Sequence, residues 1–128
     1  MRYLLDTHVF IWWAIEDPRL SADMLEAIAD PANQLYLSAA STWEMMIKSR
    51  LGKLRLPSAA ESFIADQLRS NRVEPLPITI EHTLALGSLE SFHKDPFDRM
   101  LIAQARHENL TLLTDDPLIR QYRVKTLP

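Results

Sequence analysis

The sequence predicts an α/β fold whose mainly parallel central sheet is flanked by helices on both faces. Arg2-Tyr3-Leu4-Leu5, Gln34-Leu35-Tyr36-Leu37-Ser38 and Leu110-Thr111-Leu112-Leu113-Thr114 read as short buried strands. Segments with helical spacing of apolar residues separate them, and alternation of strands and helices in one short chain favours parallel pairing. With 128 residues and 47% hydrophobic content, the chain fits one domain spanning 1–128 with a real core.

Taken in order, the first strand ends at Asp6, and Thr7 is the expected cap of a helix carrying Val9, Phe10, Trp12 and Trp13. A second helix starts after Ser21, presents Met24, Leu25 and Ile28, and stops near Pro31. After the strand at 34–38, Ser41-Thr42-Trp43-Glu44 has the S-x-x-E form of a capping box. It opens a helix to about Leu51, with Gly52 beyond it as a stop. Ser58-Ala59-Ala60-Glu61 repeats the signal for a fourth helix to about Arg72. Val73-Glu74-Pro75-Leu76-Pro77-Ile78 is too proline-rich for a central strand, so an extended connector or short edge strand is expected. Thr79 to about Leu89 is helical by pattern. Asp95-Pro96-Phe97-Asp98 places Asp95 at a cap, Pro96 at the first helical position and Asp98 in the first turn. Asp116-Pro117 starts a short helix, and Arg123 to Thr126 forms a last strand.

Composition narrows the function. There is no cysteine, which excludes disulfides, thiolate zinc sites and a cysteine nucleophile. The longest apolar run, Val9 to Ile15, is far short of the roughly 20 residues of a membrane helix, so a cytoplasmic protein is expected. The formal net charge of −3 argues against a plain nucleic-acid-binding module. It counts less against a metal-dependent nuclease, because bound divalent cations reverse the local field of carboxylates.

Asp6, Glu44, Asp98 and Asp116 each sit where a strand meets a helix or where a helix begins. From such positions an α/β fold can bring acids together in the crevice outside the strands' carboxyl ends. Each also has a plain structural use: Glu44 in a capping box, Asp98 near a helix's positive end, and Asp116 before proline, as at Asp17, Asp30 and Asp95. Asp6 is the hardest to explain that way. A carboxylate directly after Leu4-Leu5 is half-buried without a basic neighbour in sequence. Asp115 and Asp116 leave an apolar run in the same manner, and neighbouring strands lie only ~4.8 Å apart. A hard cation, Mg²⁺ or Mn²⁺, would relieve the repulsion.

The chain resembles PIN-domain ribonucleases, and among them the VapC-type toxins of bacterial type II toxin–antitoxin pairs. The likeness rests on "YLLDTHVFIWW", "LSAASTWEMMIK", "HKDPFDRMLIAQA" and "LLTDD", four segments in order between Tyr3 and Asp116. The resemblance implies a metal-dependent endoribonuclease in which Asp6, Glu44, Asp98 and Asp116 are both the metal-binding and the catalytic acids. It also implies products bearing a 5′-phosphate and a 3′-hydroxyl. Thr7, Ser38 and Thr114 fall nearby as supporting hydroxyls. Asp98 is better placed than Asp95, which is also a credible cap, and Asp116 better than Asp115, which either faces solvent or serves a second metal. Lys48, four residues after Glu44, either contacts the scissile phosphate or forms a surface ion pair. Arg99 either holds RNA or anchors a carboxylate. His8 and His93 flank the acidic edge, where a histidine general base is conceivable but not needed once a metal activates the water; His82 and His107 are expected at the surface. A homodimer and a cognate antitoxin whose peptide arm reaches the acidic site are further implications. Phe10, Trp12, Trp13 and Trp43 either stack on RNA bases, line that groove, or belong to core and interface.

Three other functions remain open from sequence. One is an RNA-processing nuclease of the same family without an antitoxin, and another a non-catalytic module that keeps the fold. The last is an aspartyl-phosphate phosphotransferase, disfavoured because "DTH" lacks the second acid two residues after Asp6.

Overall fold

A computed structural model describes residues 1–70 and 72–128. Its sheet has five strands, all parallel, in the order β3-β2-β1-β4-β5: β1 (Arg2–Leu5), β2 (Gln34–Ser38), β3 (Val73–Leu76), β4 (Thr111–Leu113) and β5 (Thr126–Leu127). The helices are α1 (Thr7–Ala14), α2 (Ala22–Ala29), α3 (Ala39–Arg50), α4 (Ala60–Ser70), α5 (Ile80–Ala85) and α6 (Pro96–Glu108). Short 3-10 turns cover Leu86–Ser88 and Ile119–Gln121.

The sheet divides two apolar layers. Tyr3 and Leu5 of β1 join Leu35, Leu37 and Leu113 under Val9, Phe10, Met24, Ile28, Phe63 and Ile64 from α1, α2 and α4. Leu4, which points the other way from its neighbours in β1, joins Leu112 under Leu101, Ile102 and Ala105 of α6. Both faces are thus covered, as all-parallel sheets require, and β1 is apolar at Tyr3, Leu4 and Leu5 for that reason. Helix α3 contributes Met45 to the first layer and Ala40 to the second. Phe10 and Trp12 are therefore core, whereas Trp43 is 59% exposed.

Strand order positions the site. From β1 the chain steps to β2 and β3 on one side, then crosses to β4 on the other. The switch lies between the carboxyl ends of β1 and β4, the place where open α/β sheets form a binding crevice. Asp6 follows β1 there, and Thr114, Asp115 and Asp116 follow β4.

Several expected boundaries move, each for a local reason. Asp6, not Thr7, caps α1, its Oδ1 accepting from the His8 amide at 3.1 Å. Helix α3 begins directly after β2 with Ser38 as its cap, so the Ser41–Glu44 pattern lies inside the helix and is no capping box. Gly52 does end that region, in the left-handed conformation with φ +74° that favours glycine. The fourth helix ends at Ser70, and the expected continuation toward Arg72 crosses position 71, which lies outside the described residues. Val73–Leu76 is an edge strand that pairs, among the described residues, with β2 alone. The last strand starts at Thr126 rather than Arg123.

Asp116 opens no α-helix. Its Oδ1 accepts from the Leu118 amide at 2.9 Å in a turn leading to the 3-10 segment. His82 is fully buried, contrary to its expected surface position: its Nδ1 completes a capping box with Thr79, and its Nε2 meets Glu108 at 2.9 Å. His107 is exposed, as expected.

Candidate active site

The acid at the end of β1 is pinned from two sides. Asp6 is 3% exposed, and its Oδ2 accepts from the Thr114 hydroxyl at 2.6 Å while Oδ1 caps α1. Thr114 Oγ1 also accepts from the Asp116 amide at 3.1 Å. One hydroxyl therefore links the acids leaving β1 and β4.

Glu44 reaches the same edge from the first half of α3. Thr7, the first residue of α1, donates to Glu44 Oε1 at 2.8 Å and lies 2.8 Å from the Ser41 hydroxyl. Glu44 Oε2 accepts from Lys48 Nζ, one helical turn on. That is the i, i+4 geometry in which glutamate before lysine is favourable.

The remaining acids come from the start of α6 and from the end of β4. Asp95 caps α6 by accepting from the Phe97 and Asp98 amides at 2.8 and 3.2 Å, with Pro96 at the first position. Asp98, one turn in, faces His93 Nε2 at 3.1 Å, and Asp116 Oδ2 meets the same nitrogen at 2.8 Å. Arg99 Nη1 is committed to the carbonyls of Glu90 and His93, at 2.7 and 3.3 Å.

These acids share one electrostatic field. Burial, then the negative charges of Asp6, Asp95, Glu44 and Asp116, push the Asp98 carboxyl up to about 8. Burial also raises Asp6, against the Thr114 and His8 hydrogen bonds that favour its ionised form. Around Lys48, partial burial opposes the ammonium, but the Glu44 hydrogen bond and the fields of Glu44, Asp95 and Asp98 raise its pKa. Acids are perturbed in this way where they are drawn together out of solvent, an arrangement that recurs at functional sites.

The donor set suits a cation. Asp98, Asp116 and His93 offer ligand atoms within 4.8 Å of one another, and the surrounding groups supply carboxylate oxygens rather than thiolates. Oxygen-rich donors of high negative charge match a hard divalent ion. Burial among like charges, which raises the Asp98 carboxyl, is the repulsion that a bound cation would relieve.

The structure thus brings together Asp6, Glu44, Asp98 and Asp116, with Thr7 and Thr114 on their oxygens. Ser38 does not join them: its hydroxyl donates to Gln104 at 2.5 Å and caps Ala40, tying β2 to α3 and α6. Asp115 is exposed, and its field acts on Arg19. Reasoning from sequence offered His93 only as a conceivable general base, and did not single out Tyr122, whose hydroxyl accepts from the His93 amide at 2.7 Å. Tyr122 carried no local signal, since it lies 29 residues from His93.

The description "PIN domain" applies to a family model that matches residues 3–125. Ribonuclease VapC22 of Mycobacterium tuberculosis is 30% identical over 120 residues, covering 94% of this chain and 91% of that protein. Ribonuclease VapC16 of the same organism is 40% identical over 70 residues, covering 52% of this chain; the match spans half of VapC16's length. Among solved structures, VapBC2 from Rickettsia felis, bound to a DNA fragment from its promoter, matches with a TM-score of 0.73 at 19% identity. That match covers 99% of this chain and 98% of the other. VapC20 of M. tuberculosis, described as a sarcin-ricin loop cleaving toxin, matches with a TM-score of 0.65 at 18% identity over 98% and 99% of the two chains. The fold, the acids at its switch point and the family match over nearly the whole chain agree: this chain belongs to the PIN-domain family.

Proposed function

We propose that this chain is a Mg²⁺- or Mn²⁺-dependent endoribonuclease that acts in the cytoplasm as the toxin of a toxin–antitoxin pair. The observation that carries the reading is the convergence of Asp6, Glu44, Asp98 and Asp116 on one electrostatic field at the β1/β4 switch point. The ribonuclease names of VapC22 and VapC16 support RNA as substrate, and the VapBC complexes support an antitoxin partner. No helix among the described residues is long and apolar enough to cross a membrane. A homodimer completes the proposal.

In this mechanism Asp6, Glu44, Asp98 and Asp116 would hold the cation, which when bound would supply charge stabilisation at the phosphate and lower the pKa of a water. The protein's own groups set the stage. Thr7 and Thr114 fix the orientation of Glu44 and Asp6, so their oxygens need no rearrangement as charge develops. Lys48 places an ammonium beside Glu44, where it can pair with the RNA backbone. Arg99 shapes the loop before α6 through its carbonyl bonds rather than binding RNA. No side chain is needed as a covalent nucleophile.

The test is cleavage of total RNA by the purified protein with Mg²⁺ or Mn²⁺, followed by end mapping. Cleavage yielding 5′-phosphates, abolished by EDTA and by the product of an adjacent small gene, is expected. Undiminished cleavage in excess chelator would overturn the metal mechanism; inhibition by no neighbouring gene product would leave a nuclease without the toxin role.

A further inference from the structure

His93 sits between two acids of the site, and its ring could be read as a third metal ligand, because its Nε2 lies within ligand spacing of Asp98 and Asp116. Its other nitrogen argues against that. Nδ1 accepts a hydrogen bond from the Asp95 amide at 3.1 Å. A ring nitrogen that accepts an N–H carries no hydrogen itself, so the hydrogen-bond network puts the ring hydrogen on Nε2. A nitrogen bearing hydrogen has no lone pair for a metal.

The ring is also held in place. The His93 amide donates to Tyr122 Oη at 2.7 Å, Tyr122 Oη donates to the Glu90 carbonyl at 2.9 Å, and Arg99 clamps the carbonyls of Glu90 and His93. The side chain is only 10% exposed. Its single Nε2–H donates to Asp116 Oδ2 at 2.8 Å, and Asp98 Oδ2 lies 3.1 Å from the same nitrogen, so the ring sits between an acid from the β4 end and an acid from α6.

From this geometry, and resting on the metal-dependent reading above, we propose that His93 is a positioning residue and not a metal ligand. Its Nε2–H anchors Asp116 beside Asp98, so that both acids keep their remaining oxygens for the cation. Hydrogen-bonded ligand carboxylates are the usual supporting arrangement around a metal, and losing such a partner typically costs about 10–100-fold in affinity. A neutral donor suits the task, since it steadies the Asp116 carboxylate without competing with the cation for the position between the two acids.

Two substitutions separate the ring's two bonds. His93→Asn keeps an acceptor near the Nδ1 position for the Asp95 amide but removes the Nε2 donor. His93→Gln keeps a donor near the Nε2 position and gives up the loop contact. Mn²⁺ affinity is measured by calorimetry on folded protein, with thermal melting to confirm the fold. We expect His93→Asn to bind about tenfold or more weakly while melting near wild type, and His93→Gln to bind within about threefold of wild type. Nitrogen-15 NMR of the wild-type ring should show the Nε2–H tautomer before and after Mg²⁺ addition. A switch to the Nδ1–H tautomer with Mg²⁺ would make His93 a ligand and overturn the proposal, as would unchanged Mn²⁺ affinity in His93→Asn. Wild type that binds neither ion would overturn the metal reading itself and this inference with it.

Discussion

The Thr114 hydroxyl donates to Asp6 at 2.6 Å while accepting from the Asp116 amide, so one side chain joins the ends of β1 and β4. It is fully buried, and each bond lies within the low-dielectric edge of the sheet. Thr114 therefore sets the spacing of two acids that no local sequence rule could place together.

Thr114→Val preserves shape but leaves Asp6 Oδ2 and the Asp116 amide short of a partner. Leaving a buried polar group unpaired costs about 1–3 kcal/mol. The variant should lose that much unfolding free energy, read as a lower urea midpoint with an unchanged slope. It should also bind Mn²⁺ more weakly than Thr111→Val, a change on the same strand away from the acids. Equal metal affinity in the two variants would mean that Thr114 serves stability alone.

Asp95 and Asp98 separate cap from site. Asp95 accepts two amides at the start of α6, and asparagine caps helices about as well, so Asp95→Asn should change stability and activity little. Asp98→Asn removes an acid from the centre of the cluster that a bound cation would draw into its charged form, and should lower RNA cleavage at least about 100-fold, on the scale of losing an essential electrostatic group. Equal losses in the two variants would show that the pair is assigned the wrong way round.

Stability without metal should fall as pH rises. Asp98 has a folded pKa of about 8 against 3.8 for the free side chain. Below about pH 4 both states hold the proton, whereas between 4 and 8 only the folded state does. The folded state's proton-linked advantage is thus present at low pH and is lost as pH climbs through 8. Raised Asp6 adds to the same trend. Melting of the chelated protein between pH 5.5 and 8 should show a falling midpoint, with a shallower slope in Asp98→Asn. Metal must displace that proton, so its stabilising effect should grow over the same range. A flat profile in wild type would mean that Asp98 is ionised throughout.

Much of this architecture was legible because it is local chemistry. Apolar runs ending in an acid marked β1 and β4, and Asp95-Pro96 marked the start of α6. Ser21 marked α2, and Gly52 the end of α3. The Ser41–Glu44 pattern misled because Ser38 offers the same hydroxyl at the strand end, and the tertiary site recruits Glu44 from inside the helix. The roles of His82 and His93 depend on partners such as Glu108 and Asp116, 26 and 23 residues away. No periodicity reports contacts at that separation. Arg99 likewise looked available for RNA until its guanidinium was found on backbone carbonyls.

Asp6→Asn joins stability to the site. Asparagine can still cap α1 through its carbonyl oxygen, and its amide can donate to Thr114 Oγ1, so both contacts of Asp6 survive in altered polarity. What disappears is a buried charge among like charges, whose burial already raises the carboxyl's pKa. Without metal the variant should therefore melt no lower than wild type at pH 7, yet cleave RNA at a small fraction of the wild-type rate. Added Mn²⁺ should raise the wild-type midpoint by an amount that grows with RT ln(1 + [L]/Kd), and should raise the variant's less. Thermal melting of both proteins with and without Mn²⁺ decides the matter. A strongly destabilised apo variant beside a wild type indifferent to metal would make Asp6 a structural hydrogen-bonding residue, and the cluster a fold device rather than a catalytic centre.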